Sequence, residues 1–88
     1  MSRRAAAWWP AVVGLEQVMD AVTATAVAVD HGAPAPSVAG VRAITTVLDQ
    51  IAGSVRTGIR LTGRGALPEE PALTPVTDAV RSVRAVVA

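Results

Sequence analysis

Three groups of side chains in this sequence have types and spacings that could do chemistry. Glu16 and Asp20 stand four residues apart, one turn on a helix, where two carboxylates could share acid and base roles or give two oxygen ligands to a divalent cation. With no second carboxylate pair and no His near them in sequence, a solvent-facing role accounts for both more simply. Arg56, Arg60 and Arg64 also advance by four, with Arg42 farther back. On a helix they form one basic ridge, suited to an anion, a phosphate or a nucleic acid. Eight Arg against seven acids leave a formal net charge of only +1, whereas a dedicated nucleic-acid binder carries a clear basic excess. The ridge therefore reads first as a solvated face paired with acids, and a nucleic-acid contact is the minor alternative.

The remaining chemistry is excluded or unsupported. There is no Cys, so there is no disulfide framework, thiolate metal site or cysteine nucleophile. The single His31, beside Gly32, cannot complete a zinc site, which takes three or four protein ligands. It fits the end of a helix instead. Nothing in the spacing supports a Ser–His–Asp triad. Gly63-Arg64-Gly65 is a bare G-x-G without the preceding strand and following helix of a phosphate loop. The expectation is a non-enzyme with no catalytic, cofactor-binding or metal-binding residues.

Trp8 and Trp9 are more informative, being the only aromatic residues and adjacent. Trp is enriched at interface hot spots, so the pair is either a partner contact or a core residue, Trp8, beside a rim residue, Trp9. Together with the Arg ridge they form the expected partner-contact set: Trp8, Trp9, Arg56, Arg60 and Arg64.

Three helices must position these groups. The first is expected over about 10–31, with Pro10 in its first turn and Trp8, Val12, Leu15, Met19, Val22, Ala26 and Val29 stepping by four and three. Asp30-His31-Gly32 ends it, and the Pro-rich linker 32–37 cannot extend it. The second is expected over about 38–62, capped by Ser37. Its stripe is Val41, Ile44, Leu48, Ile51 and Val55, widened by Val47 and Ile59, and Gly40, Gly53 and Gly58 permit close approach of a neighbour. After the linker 63–74, Thr74 as cap and Pro75 open a third helix over 75–87, whose stripe is Val76, Val80, Val83 and Val87. The fold class implied is all-α: a three-helix up-down bundle, an antiparallel helical hairpin plus a shorter C-terminal helix lying in the groove between its arms. A fold point near Pro34 would set Glu16 beside Ala52 to Arg56, and Trp8 beside Arg60.

The chain has 88 residues and 9.0 kDa, of which 51% are hydrophobic, and its mean hydropathy is +0.43. Ala and Val supply 18 and 15 of those residues against five Leu, three Ile and no Phe or Tyr. Short side chains bury little area and small domains hide less of their surface, so the core is thin and a protein partner or a homo-oligomer is expected. Exclusive use of Arg with abundant Ala and Val suggests GC-rich coding. The charge-free stretch Ala5 to Leu15 is too short for a membrane span, which needs about 20 apolar residues. Glu16 and Asp20 interrupt what would otherwise mimic a signal peptide.

Trp8-Trp9-Pro10-Ala11-Val12, Glu16, Asp20-Ala21-Val22-Thr23-Ala24 and Asp30-His31-Gly32 resemble the soluble helical tail of bacterial fusaric-acid-resistance-like membrane proteins. Leu67-Pro68-Glu69-Glu70-Pro71-Ala72-Leu73, Pro75 and Asp78-Ala79-Val80-Arg81 resemble the closing segment of actinobacterial members. The resemblance spans most of the chain but only the cytoplasmic end of the family, and none of these motifs is a substrate-binding signature. It implies a non-catalytic cytoplasmic module, at the inner face of the membrane, of an exporter of aromatic acids or similar small molecules. These residues would then be a fragment of a larger protein, packing against its remainder. The alternative is a free-standing helical adaptor that holds a partner helix with Trp8, Trp9 and its Val stripes.

Overall fold

A computed structural model describes residues 3–58 and 65–87, with side chains given from Trp9 onward. It contains α1 (Arg3–Asp30), α2 (Val38–Thr57), a 3-10 turn (Pro71–Leu73) and α3 (Thr74–Val87). No strand occurs among the described residues, and the fold is an all-α bundle of three helices.

Local chemistry sets most of the helix ends. α1 begins before the expected position 10, with Pro10 inside it, because Ala5-Ala6-Ala7 has the highest helix propensity of any residue type. It ends in a Schellman motif: Gly32 takes φ 98°, its N–H bonds Val29 O at 3.0 Å, and the Ala33 N–H bonds Ala28 O at 2.9 Å. Ser37 caps α2, its Oγ accepting from the Gly40 N–H at 2.9 Å. α2 stops at Thr57 rather than near position 62. Gly58 is its left-handed cap, with φ 73° and its N–H on Ser54 O at 2.9 Å. A glycine expected inside the helix therefore terminates it, since it adopts that conformation without steric cost. Thr74 was expected as a non-helical cap, yet it is itself helical at φ −52° and ψ −47°. The 3-10 turn winds directly into α3, so no separate cap is needed at that junction.

α3 is the element that holds the others. Gly14 of α1 faces Val83, while Ala24 to Val29 share a cleft with Pro71 to Pro75, so α1 and α3 run antiparallel. Gly40 lies against Glu70 and Leu73, and Gly65 lies beside Val47 and Gln50 while its carbonyl accepts from Arg84 Nη1 at 2.6 Å. α2 and α3 therefore run in the same direction. α1 is antiparallel to α2, as expected of a hairpin, but the two touch only slightly; each packs mainly on α3. Glu16 does not pair with Arg56, and the ion pair among the described residues is Arg81–Asp78 at 3.2 Å.

The core consists of Ala11, Val18, Ile44, Val47, Ile51, Leu73, Val76, Val80, Val83 and Val87. All four expected stripe residues of α3 are buried, and so are Ile44, Val47 and Ile51 of α2, although Val41 is exposed. α1 is different. Its buried line is Ala11, Gly14 and Val18, continued by half-buried Ala21, Thr25 and Val29. The expected line is turned aside: Val12 and Leu15 are half-buried, and Met19 and Val22 are 63% and 42% exposed. Small side chains face α3 because they let the two backbones come close, as Gly14 against Val83 demonstrates.

Candidate functional site

The unusual surface belongs to α1. At 1.5 Å per residue its 28 residues extend about 42 Å, while the 14 residues of α3 extend about 21 Å. The shorter helix covers one line of the longer, and the molecule is correspondingly elongated at 47 × 22 × 15 Å. Beside the covered line runs a second apolar line, Val12, Leu15, Met19, Val22 and Ala26, stepping 3-4-3-4 and meeting the covered line at Val29. That is the heptad spacing of a helix-packing seam. Val12, Leu15, Glu16, Met19 and Asp20 form an open groove of ≈410 Å³ along it. Trp9, 63% exposed, and Val27, 50% exposed, lie farther round the helix. A helix apolar on nearly every side is ordinarily enclosed on every side; α1 is enclosed on one.

Charge adds a second property. Between Trp9 and Asp30 there are three acids, Glu16, Asp20 and Asp30, and no base. Glu16 and Asp20 lie on the lip of the groove, and neither forms an ion pair among the described residues. The same segment of 22 residues is long and apolar enough to cross a membrane by length and composition, with a mean hydropathy of 1.4 and 11% burial over an 18-residue window of it. Expectation from the charge-free stretch alone understated this helix, although Glu16 and Asp20 stand inside it.

Of the expected contact residues, Trp9 and Arg56 have described side chains, and they stand on different helices. Trp9 is exposed on α1, and Arg56 is exposed in the last turn of α2. The Trp8 side chain, Arg60 and Arg64 lie outside the described residues. With α2 ending at Thr57, the regular helical ridge from Arg56 through Arg64 is broken at Gly58. His31 completes the end of α1, its Nδ1–H donating to Val27 O at 2.8 Å. No group of His, Cys, Asp or Glu suited to a metal ion occurs among the described residues.

Glu70 has a structural role that the sequence reading missed. One carboxylate oxygen accepts from the Ser37 N–H at 3.0 Å and the other from the Ser37 hydroxyl. Because that hydroxyl also accepts from the Gly40 N–H, a relay runs from the first turn of α2 to the linker preceding α3. The hydrogen bonds from the Ser37 side chain and backbone lower the Glu70 pKa below its ordinary 4.5. Gly40 gives the Glu70 carboxylate room, since a Cβ would lie 2.5 Å from Glu70 Oε1 and 2.9 Å from Leu73 Cδ1 and would push both side chains aside. Nearby, Ala24, Ala28, Val29, Pro34, Pro71 and Pro75 line an apolar cleft of ≈560 Å³ with Glu70 at its edge.

Comparison with family models, with curated proteins and with solved structures finds no match.

Proposed function

We propose that this chain is a non-catalytic assembly module that docks a helix of another polypeptide along the second apolar line of α1. The observation carrying this reading is the exposure of Met19 and Val22, at 63% and 42%, on a helix already packed against α3 along the line a quarter-turn away. Covering such a line would remove apolar area from water, at roughly 25 cal/mol per Å². Trp9, exposed farther round the same helix, adds a wide side chain of the kind found at hot spots. On the resemblance to fusaric-acid-resistance-like tails, the docked helix belongs to the remainder of an exporter, at the inner face of the membrane. In a free-standing adaptor it belongs to a separate protein, and the physics at α1 is the same.

The test uses a fluorescent 21-residue heptad peptide with Leu at the a and d positions and Gln flanking them, titrated against the wild-type chain and against Met19→Asp. Saturable binding to the wild type that weakens at least tenfold in the variant supports docking at α1. Equal binding to both, or no binding to either, removes the reading. Met19 is exposed, so the variant's helicity and melting should match the wild type.

A further inference from the structure

Resting on the docking role of α1, we infer that the helix it receives is apolar along one face and basic beside it. The argument is electrostatic. The groove formed by Val12, Leu15 and Met19 has Glu16 and Asp20 on its lip, and no cation of this chain pairs with them among the described residues. The bases of the described core lie elsewhere. Arg81 pairs with Asp78, Arg84 donates to Gly65 O, and Arg42 and Arg56 are on α2, which barely touches α1. Asp30 adds a third negative charge at the C-terminus of α1, the end that is already negative through the helix dipole. From Trp9 to Asp30, α1 thus presents apolar side chains beside acids and no base.

In paired helices the charges beside an apolar seam select the partner through attraction and through like-charge rejection. A second copy of α1 is disfavoured by this rule. From Trp9 to Asp30 the helix has acids and no base, so no register of that segment on its own copy brings opposite charges together; the two bases of α1, Arg3 and Arg4, precede it. A helix with Arg or Lys beside its apolar face satisfies both carboxylates in the parallel and the antiparallel orientation. The same carboxylates oppose insertion of α1 into hydrocarbon, where a charge near a helix centre is costly.

Three 21-residue peptides with the same Leu seam and flanks of Lys, Gln or Glu discriminate the possibilities, with anisotropy read at low and high salt. The Lys peptide should bind the wild-type chain at least tenfold more tightly than the Glu peptide at 50 mM salt, with the ratio shrinking at 500 mM as screening grows. Glu16→Gln combined with Asp20→Asn should equalise the three peptides, and Glu16→Lys combined with Asp20→Lys should invert the order. Equal affinities for all three on the wild type, each lost in Met19→Asp, overturn the charge inference and leave the docking site intact. Binding of none overturns both. Concentration-dependent self-association abolished by Met19→Asp assigns the seam to a second copy, and flotation with neutral vesicles abolished by the same change assigns it to lipid; either result overturns the basic-helix inference.

Discussion

Gly14→Ala is the sharpest probe of this architecture, because helix propensity and packing predict opposite signs. In an isolated helix, Ala in place of Gly is favourable by about 1 kcal/mol. Here a Cβ on Gly14 would lie 2.4 Å from Val83 Cγ2 and 3.4 Å from Val83 Cβ, so the neighbour would have to withdraw by about 1 Å to reach ordinary contact. Val83 is buried among the residues of the core and, being β-branched within a helix, has essentially one available rotamer. The methyl cannot swing aside, and α3 must move instead. Overpacking of this kind costs about 1 to 3 kcal/mol. Taken at its upper end for so short an approach and reduced by the propensity gain of about 1 kcal/mol, the net loss is about 2 kcal/mol. For a chain of this size that lowers Tm by roughly 8 to 16 °C. Urea melts followed by circular dichroism, repeated in a Val83→Ala background, make the measurement specific. There the added methyl occupies space already vacated, so Gly14→Ala should cost little or should stabilise, a coupling of about 2 kcal/mol between the two sites. A neutral or stabilising Gly14→Ala in the wild-type background would refute the placement of α3 on the Ala11–Gly14–Val18 line.

Further outcomes follow from the same packing. Met19→Ala should change stability by no more than about 0.5 kcal/mol, as expected of an exposed position, whereas a core methionine would cost about 2 to 5 kcal/mol in the same urea melts. Ile51→Ala, at a position 0% exposed, should cost about 2 to 5 kcal/mol; a change below about 0.5 kcal/mol would contradict its place in the core. Ser37→Ala should lose about 1 kcal/mol through the α2 cap, and combining it with Glu70→Gln should add little, since the two act through one relay. The Glu70 pKa is lowered by folding, so its stabilisation is present above the ordinary carboxylate range and disappears as pH falls through the depressed folded value. The Tm advantage of the wild type over Glu70→Gln, measured from pH 7 to pH 2.5, should therefore vanish at the acid end; a constant gap would contradict the relay.

The helices differ in how much of their placement was legible in the sequence, for a physical reason. α3 alternates Val with Arg, Asp and Ser, and its polar residues leave only one face for Val76, Val80, Val83 and Val87. α2 is similar: of its described stripe residues Val41 alone is exposed, and Ile59 lies outside the described residues. α1 is apolar nearly all round, so choosing its largest side chains picked the line through Leu15, Met19 and Val22, a quarter-turn from the buried one. A better guide was present. Glu16 and Asp20 flank Val18 by two residues on each side, which on a helix of 3.6 residues per turn puts both nearly opposite it. Following the acids outward leads inward to Val18, Ala11 and Gly14. The Glu70–Ser37 relay joins residues 33 apart, and no local pattern announces such a pair; Gly40 was its only trace.

The central position of α3 also governs the order in which this protein can acquire structure. α1 and α2 leave the ribosome first, yet each finds its main packing surface on a helix made after both. Until Val76 to Val87 are synthesised, the Ala11–Val18 line and the Ile44–Ile51 line are exposed together in a chain with little to cover either. Packing of both lines thus waits until α3 has been synthesised, so the order of translation runs against the order in which these helices find their partners.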